Sequence, residues 1–449
     1  MGVGGIGVSG LALILKASGH QVSGCDQTLN ELTRKLETHG VRVFHGHSAD
    51  HITPDVDVLV APTWARDTES EVVTAKAQGK RVIRRIELLG DLMREKRGIG
   101  VAGTHGKTST SAMVATVFEG CGADPSAQIG GVVRALNGNA KVGRGKHFIA
   151  EIDESDPLFA LIPCDIAIVT NIEDDHVSHD SSDHRPNYHR SVEALHEAFQ
   201  TFAKSAGTVV YCADWTGLDA MLEGANLVSY GLHSPAKYRA ESVDLIGGKP
   251  RFTLTRDGQA LVDVTLVVPG EHNVLNAVAA LAVADLEGLD LIKAAKALED
   301  FPGAGRRWEV VGQLNGALLI DDYAHNPTKV SSAIAGAKTT GRRVRVVFQP
   351  HRVGRTAREW QNYADILRSA DEVMILDIYT SSETPIEGIH ATLIETRMHE
   401  LGYQPARYWQ DRAALSAYIL ETASASDVIV TMGAGDVTRI LRELPGVKA

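Results

Sequence analysis

The chain has 449 residues, 44% of them hydrophobic and 22% charged, a balance that excludes a fibrous or low-complexity protein and fits a soluble globular one. At roughly 100–200 residues per domain, three domains are expected. The net charge of −11 argues against broad nucleic-acid binding, which needs basic surface, but leaves anionic small molecules open, since a pocket can be locally basic. The chain opens with GVGGIGVSG, in which Gly2, Gly4 and Gly7 fit G-x-G-x-x-G and Asp26 follows at a strand end. That is the form of a dinucleotide site. The strand that normally precedes such a loop is absent, so the narrower reading is a backbone nest for a diphosphate, with an acid placed for a ribose or a nearby polar group. The alternative is a tight turn for helix–sheet packing. HQVSGCD (20–26), VRVFHGH (41–47) and VDVLVAP (56–62) read as strands, with helices NELTRKLETHG and ESEVVTAKAQG between or after them. This switching of period predicts βαβ units and a parallel sheet. RRIELLGDLMREKRG (84–98) reads as a helix ending in a charged linker.

The middle segment starts with the strand GIGVAG and the loop Gly103-Thr104-His105-Gly106-Lys107-Thr108. The usual phosphate loop has one more residue between its glycines, but the physics is the same: N–H groups at a helix start face an anion. Lys107 adds a charge for phosphate oxygens, and the Thr108 hydroxyl is placed to ligate Mg²⁺. EIDESD (151–156) ends the next strand, with Glu151 and Asp153 expected on one face and Glu154 opposite. One carboxylate near Mg²⁺–ATP is expected, because strand ends face the ligand crevice of an α/β domain. TNIEDDH (170–176) ends a further apolar strand and brings in His176, an unusual Mg²⁺ ligand. His179, His184 and His189 follow with no zinc-ligand spacing and read as part of a polar loop. RFTLTRDGQALVDVTLVVPG (251–270) is a hairpin pattern with Asp-Gly at its turn. Asn273 and Asn276, three apart, share a helix face, where they either read a base edge or cap the helix.

The last segment is again a βα alternation. Its strands are GALLIDDY, RVRVVFQPH, EVMILDIY and DVIVTMGAGD. GRRWE (305–309) offers Arg306 and Arg307 at the domain boundary, where a guanidinium could reach a γ-phosphate. DDYAHNP (321–327) and FQPHRVGRT (348–356) are polar strand ends. The apolar runs all fall far short of the ~18 residues that span a membrane, and no signal peptide is visible, so a cytoplasmic protein without membrane association is expected. Cys25, Cys121, Cys164 and Cys212 form no C-x-x-C pair, so spacing indicates neither a zinc site nor a disulfide framework.

GTHGKT, the acidic strand end, NIEDDH, HNVLNA, RRWE and DYAHNP, in this order, resemble the Mur ligase family of ATP-dependent amide-bond-forming enzymes. The loops GVGGIGVSG, GTHGKTST, EIDESD and FQPHRVGRT are most similar to those of the members that add L-alanine to UDP-N-acetylmuramate. Where those members carry a His-His pair, this chain has His325-Asn326. The resemblance implies an α/β protein of three domains: a Rossmann-like UDP-sugar-binding domain (1–97), a central P-loop-type ATPase with a mostly parallel sheet (98–304) and a C-terminal Rossmann-like domain (305–449). It implies ATP and Mg²⁺ as cofactors, UDP-N-acetylmuramate and L-alanine as substrates, an acyl-phosphate intermediate, and a monomer or homodimer. A different amino acid, or a preformed peptide, is the alternative. ATP would be held by Gly103 to Ser109, with Lys107 on the phosphates, Asn273 and Asn276 near the adenine, Arg307 at the γ-phosphate and Asp322 near the ribose. Thr108 and Glu151 would ligate one Mg²⁺, and His176 a second metal. Gly4, Gly5, Ile6 and Gly7, with Asp26, would cradle the uridine diphosphate. His325, His351, Arg352 and Arg355 would face the amino acid and the sugar-linked carboxylate.

Overall fold

The computed structural model describes residues 1–174, 177, 189–381 and 383–448. The chain divides into two compact units, one of residues 1–241, 253–264 and 275–298, the other of residues 242–252, 265–274 and 299–449. In both, the sheets are mostly parallel and flanked by helices, as the alternating pattern predicts.

The first unit begins with α1 (Ile6–Ala17), β1 (Ser23–Asp26), α2 (Glu31–Thr38), β2 (Arg42–His45), β3 (Val58–Ala61), α3 (Ser70–Ala77), β4 (Arg81–Arg84) and α4 (Arg85–Arg94). β1 pairs with β2 and β3 with β4, both in parallel. Met1–Val3 lie against both pairs: the Met1 amine donates to Val60 O (2.9 Å), and the Gly2 and Val3 N–H groups donate to Cys25 O (2.8 and 3.1 Å). α2 starts at a reciprocal cap, in which Thr33 N donates to Asn30 Oδ1 (3.1 Å) and Asn30 N to Thr33 Oγ1 (2.8 Å), satisfying two of the helix's orphan donors.

Then come β5 (Arg97–Ala102), α5 (Lys107–Gly120), β6 (Ser126–Val133), β7 (Gly138–Lys141), β8 (His147–Glu151), β9 (Ile166–Val169), α6 (Val192–Ser205), β10 (Thr208–Cys212), α7 (Leu218–Met221), β11 (Leu227–Gly231), β12 (Tyr238–Asp244), β13 (Arg251–Arg256) and β14 (Gln259–Thr265). Among the described residues they make one sheet in the order β14-β13-β12-β11-β10-β9-β5-β8-β6-β7. The charged linker expected at the end of 84–98 is short, Glu95 and Lys96 after α4, because Arg97 already begins β5, which pairs in parallel with β8 and β9. β9 is buried at every position, the condition of a strand covered on both faces. The hairpin turn is as expected, with Asp257 and Gly258 both at positive φ (50° and 77°), as a primed two-residue turn requires. α8 (Glu271–Leu286) and α9 (Leu291–Glu299) follow.

The second unit is built on β15 (Glu309–Leu314), β16 (Ala317–Asp322), α10 (Pro327–Lys338), β17 (Arg343–Phe348), α11 (Val353–Leu367), β18 (Glu372–Ile375), α12 (Thr392–Glu400), β19 (Ala406–Tyr408), α13 (Arg412–Thr422), β20 (Asp427–Met432) and α14 (Thr438–Arg442). Its sheet order is β15-β16-β20-β17-β18-β19, with only β15 antiparallel to its neighbour. Inside it, Arg345 is wholly buried. Its Nε meets Glu372 Oε2 at 2.7 Å, Nη1 meets Asp427 Oδ2 at 3.4 Å, and Nη2 donates to Thr422 Oγ1 at 2.8 Å. Replacing Arg345 with Met leaves two buried carboxylates with only the half-exposed Arg343 as a cationic partner, at 2.9 Å from Glu372 and 3.7 Å from Asp427. That change should lower stability by about 3–5 kcal/mol, read as a lower urea midpoint for the second unit; an unchanged midpoint would show that the carboxylates are neutralised some other way.

Candidate active site

The loop 103–106 leaves the C-terminal end of β5, and the order β9-β5-β8 puts the ends of two parallel neighbours on either side of it. Ala102 is level with Val169, and Val101 with Glu151. The loop is fastened to the β9 side by a run of polar contacts. Thr104 N donates to Asn171 O (3.0 Å), His105 N to Asn171 Oδ1 (2.7 Å), Thr170 Oγ1 to His105 O (2.6 Å), and Glu173 N to Thr104 Oγ1 (2.8 Å). His105 Nε2 lies 2.6 Å from Glu173 Oε2. Two glycines are obligatory here. Gly103 has φ +128°, and a Cβ on it would strike the Thr170 hydroxyl; Gly106 has φ +83°, and its Cβ would come within 2.9 Å of Asn276 Oδ1. Both the conformation and the close approach favour glycine.

α5 begins at Lys107, whose ammonium is surrounded by oxygen. Nζ donates to Gly103 O (2.6 Å) and Thr104 O (3.3 Å) and pairs with Glu154 Oε2 at 2.7 Å. Burial works against its charge, but Glu154, Asp153 and Glu151 outweigh burial and hold its pKa above the ordinary lysine value. The Thr108 hydroxyl donates to Glu151 Oε1 (3.0 Å), and Gly130 N donates to Glu151 Oε2 (2.7 Å). Ser109 is half-buried in the first turn of the helix. Asn276 Oδ1 accepts from Thr110 Oγ1 at 3.0 Å, while Asn273 Nδ2 donates to Pro269 O at 2.7 Å. The two amides share α8, and the contacts of Asn276 turn it toward the phosphate loop.

Strand alternation predicts Glu154 on the face away from Glu151, but Glu154 joins Glu151 around Lys107. β8 ends at Glu151, so alternation does not extend to 153 and 154: Glu154 turns back onto Lys107, and Asp153 is half-exposed, 3.7 Å from Arg85. Period-two geometry holds only inside a strand. His189, read as part of a polar loop, is buried, with Nε2 at 2.7 Å from Glu154 O and its ring edge-on to Phe159. His176, His179 and His184 lie outside the described residues. Thr170, Asn171 and Gly130 were also missed. Their signal was weak, since a polar residue after an apolar strand is common.

Gly4 N of the opening loop donates to Asp26 Oδ2 (2.8 Å) and Thr28 N to Asp26 Oδ1 (2.9 Å), so one Asp26 oxygen braces the opening loop and the other the turn after β1. Gly5 caps α1 and Ile6 is its first residue. The Arg85 guanidinium, which the sequence did not single out, lies beside Gly7, 3.3 Å from where a Cβ would be.

In the second unit, β16, β20 and β17 end level, with Asp322 and Phe348 both opposite Met432. Asp322 accepts from Trp308 N and Ala324 N, both at 2.9 Å, and burial pushes its carboxyl up despite these donors and Arg307. Arg307 lies over the Tyr323 ring at 4.4 Å. His325, His351 and Arg355 come together: the two histidine rings are 5.6 Å apart, and Arg355 Nη1 is 3.4 Å from His351 Nδ1. Arg352 stands just before α11, at φ +69°. Burial, then Lys329 and Arg355, hold His325 well below the ordinary histidine value. Burial, then Arg355, Arg352 and Arg306, push His351 down to about 3. Both rings are therefore neutral beside guanidinium groups.

Residues 1–97 match the Mur ligase family catalytic domain, 101–284 the Mur ligase middle domain, and 306–435 the Mur ligase, glutamate ligase domain. The chain belongs to the Mur ligase family. A UDP-N-acetylmuramate–L-alanine ligase from Deinococcus radiodurans is 48% identical, over 100% of this chain and 93% of the relative. One from Geobacter sp. is 37% identical, over 98% and 95%. The crystal structure of UDP-N-acetylmuramate-alanine ligase from Thermotoga maritima matches with a TM-score of 0.83 at 30% identity, covering 99% of this chain and 96% of that one. A murein peptide ligase from Psychrobacter arcticus, at 23% identity and a TM-score of 0.69 over 100% and 98%, shares the fold. Mur ligases are ATP-dependent, which accounts for a phosphate loop on β5.

The depressed His351 value has a consequence for stability. An unfolded histidine titrates near ~6.5, so on acidification the unfolded chain takes up the proton first. The stability tied to the neutral ring is complete above that value and is lost as pH falls toward about 3, because the unfolded state then binds more protons. His351→Gln should flatten this dependence, leaving the part due to the other histidines that burial depresses, His325, His272 and His147. Urea midpoints of both proteins near neutral pH and near pH 5 measure it, and equal slopes would contradict the assignment.

Proposed function

We propose that this Mur ligase joins L-alanine to the carboxylate of UDP-N-acetylmuramate with hydrolysis of ATP to ADP and phosphate, as a step in peptidoglycan precursor synthesis in the cytoplasm. The observation that carries the reading is the oxygen-lined ammonium of Lys107 at the start of α5, beside the Thr108–Glu151 pair. It occurs in a chain that aligns end to end with relatives bearing that name. Among the described residues, no helix is long and apolar enough to cross a membrane.

ATP is a substrate here. Its γ-phosphoryl group activates the muramyl carboxylate as an acyl phosphate, which the alanine amine then attacks. The phosphate loop fits such a ligand: its glycines leave backbone N–H groups and a helix N-terminus open to an anion, and Lys107 can exchange Glu154 for phosphate oxygens. Thr108 Oγ1 and Glu151 Oε1, 3.0 Å apart, are hard oxygen donors of the kind Mg²⁺ prefers. Bound Mg²⁺ would neutralise phosphate charge. Glu151 holds the Thr108 hydroxyl in place and is itself held by Gly130 N. His176 completes the reading as a ligand to a second metal. Asn276 borders the loop and, with Asn273, is assigned to the adenine. Arg307 and Asp322 are assigned to the γ-phosphate and the ribose. Gly4 to Gly7, braced by Asp26, take the uridine diphosphate. His325, His351, Arg352 and Arg355 take the amino acid and the sugar-linked carboxylate. The three domains are assigned to residues 1–97, 98–304 and 305–449, and the active form to a monomer or homodimer.

ADP release with UDP-N-acetylmuramate and a panel of amino acids tests the reaction. L-alanine should support the highest kcat/KM; a preference for another amino acid or for a preformed peptide would move the chain to a different branch of the family. Lys107→Ala should lower kcat by ~10²–10³-fold, the usual cost of losing one contact to developing charge. Glu151→Gln should shift the dependence of kcat on Mg²⁺ to higher concentration. An unchanged Mg²⁺ curve would place the metal on other carboxylates.

A further inference from the structure

Four ligand-type side chains from three separate segments meet inside the N-terminal part of the first unit. Cys25 is in β1, His47 follows β2, His51 lies on the short turn after it, and Glu71 is in the first turn of α3. Cys25 Sγ is 3.4 Å from Glu71 Oε1 and 3.6 Å from His47 Nδ1. His47 Nδ1 is 2.9 Å from the same Glu71 oxygen, and His51 Nδ1 is 3.8 Å from it. The ligand atoms of Cys25, His47 and Glu71 all lie within 4.8 Å of one another, the one such group of three or more among the described residues. A tetrahedral Zn²⁺ with bonds of ~2.3 Å to sulfur and ~2.0–2.2 Å to nitrogen and oxygen sets its ligand atoms roughly 3.3–3.6 Å apart. The cluster is close to that spacing already.

A plain hydrogen bond between His47 and Glu71 explains two of these groups. It does not explain His51, whose Nδ1 is buried with no hydrogen-bond partner while facing the same carboxylate oxygen. Buried ring nitrogens are normally satisfied. Nor does it explain why the Cys25 thiol, inside an apolar cluster with Leu59, Ala61 and Val72, points at a wholly buried carboxylate. His47 and His51 also have the H-x₃-H spacing found in zinc sites.

We propose that Cys25, His47, His51 and Glu71 bind one divalent cation of the zinc class, at a site separate from the phosphate loop. A thiolate and a carboxylate together neutralise a 2+ ion, which suits a site closed off from water. Sulfur and imidazole ligands favour zinc over Mg²⁺ or Ca²⁺. Outer contacts fix the ligands: Ser70 Oγ donates to Glu71 Oε2 (2.9 Å), the Phe44 ring stacks on His51 at 4.5 Å, and Trp64 meets His47 edge-on at 5.8 Å. Such partners orient metal ligands. Burial pushes the Cys25 thiol up to about 11, so the metal-free thiol is protonated and donates to Glu71. Binding displaces that proton. The ion would tie β1 and the turn after β2 to α3, which follows β3. The site does not depend on the ligase assignment.

The test uses the full chain, stripped with a chelator and titrated near neutral pH with Co²⁺, then with Zn²⁺ in competition. One equivalent of Co²⁺ should give a thiolate-to-cobalt charge-transfer band and the visible bands of a tetrahedral ion. Cys25→Ser should abolish the charge-transfer band. His51→Ala removes a ring whose Nδ1 makes no hydrogen bond, so the fold should persist while Zn²⁺ affinity falls at least ~10-fold. Far-ultraviolet circular dichroism checks that both variants are folded; should Cys25→Ser fail to fold, His51→Ala decides. No thiolate band in the folded wild type, or a His51→Ala variant that binds Zn²⁺ as tightly as the wild type, overturns the proposal.

Discussion

The arrangement around β5 depends on one constraint: a buried ammonium must be surrounded by oxygen. Lys107 Nζ is held by two carbonyls of its own loop and by Glu154. An unneutralised charge in such a place would be very costly, so the loop, the end of β8 and the chain after it must all stay in register. The carbonyls of Gly103 and Thr104 can face Lys107 only because the loop curls tightly, and it curls tightly because glycine stands at 103 and 106. The contacts from Thr170, Asn171 and Glu173 then fix the loop to β9. A phosphate ligand that takes over Lys107 would meet a site whose remaining groups are already in position, so little reorganisation is required on binding.

The strand ends of the second unit solve the opposite problem. There the charges are mainly guanidinium groups, and the neighbouring histidines are neutral. Arg306 and Arg307 both lie against the Tyr323 ring, and Arg355 approaches His351. Neutral imidazoles reduce the repulsion that a cluster of cations would otherwise suffer. Both units thus place polar groups at the C-terminal ends of parallel strands, where the sheet leaves a crevice.

The cluster of Cys25, His47, His51 and Glu71 follows from the same topology in the N-terminal part. A strand, the segment after its parallel neighbour, and a helix start converge where the sheet ends. Apolar residues surround them, and this makes each polar contact there stronger and each unsatisfied group more costly.

Much of this was legible in the sequence. The spacing Gly103-x-x-Gly106-Lys107-Thr108 dictates a helix start facing an anion, because glycine conformations and helix-end donors are local properties. The alternation of periods fixed the α/β class, and Asp257-Gly258 fixed the hairpin turn, again by local backbone preference. What the sequence did not determine was which polar groups meet across strands. Glu154 joins Lys107 because β8 stops at Glu151; Gly130 supports Glu151 because β6 lies beside β8; Asn276 reaches Thr110 because α8 returns to α5. Nor did spacing reveal the Cys25 cluster, whose members come from three separate segments and meet only once β1 and β2 pair and α3 closes against them. Local chemistry sets what each residue can do, but the order of strands in a sheet decides which residues share a site, because that order is fixed by burial of the whole sheet and not by any short stretch of chain.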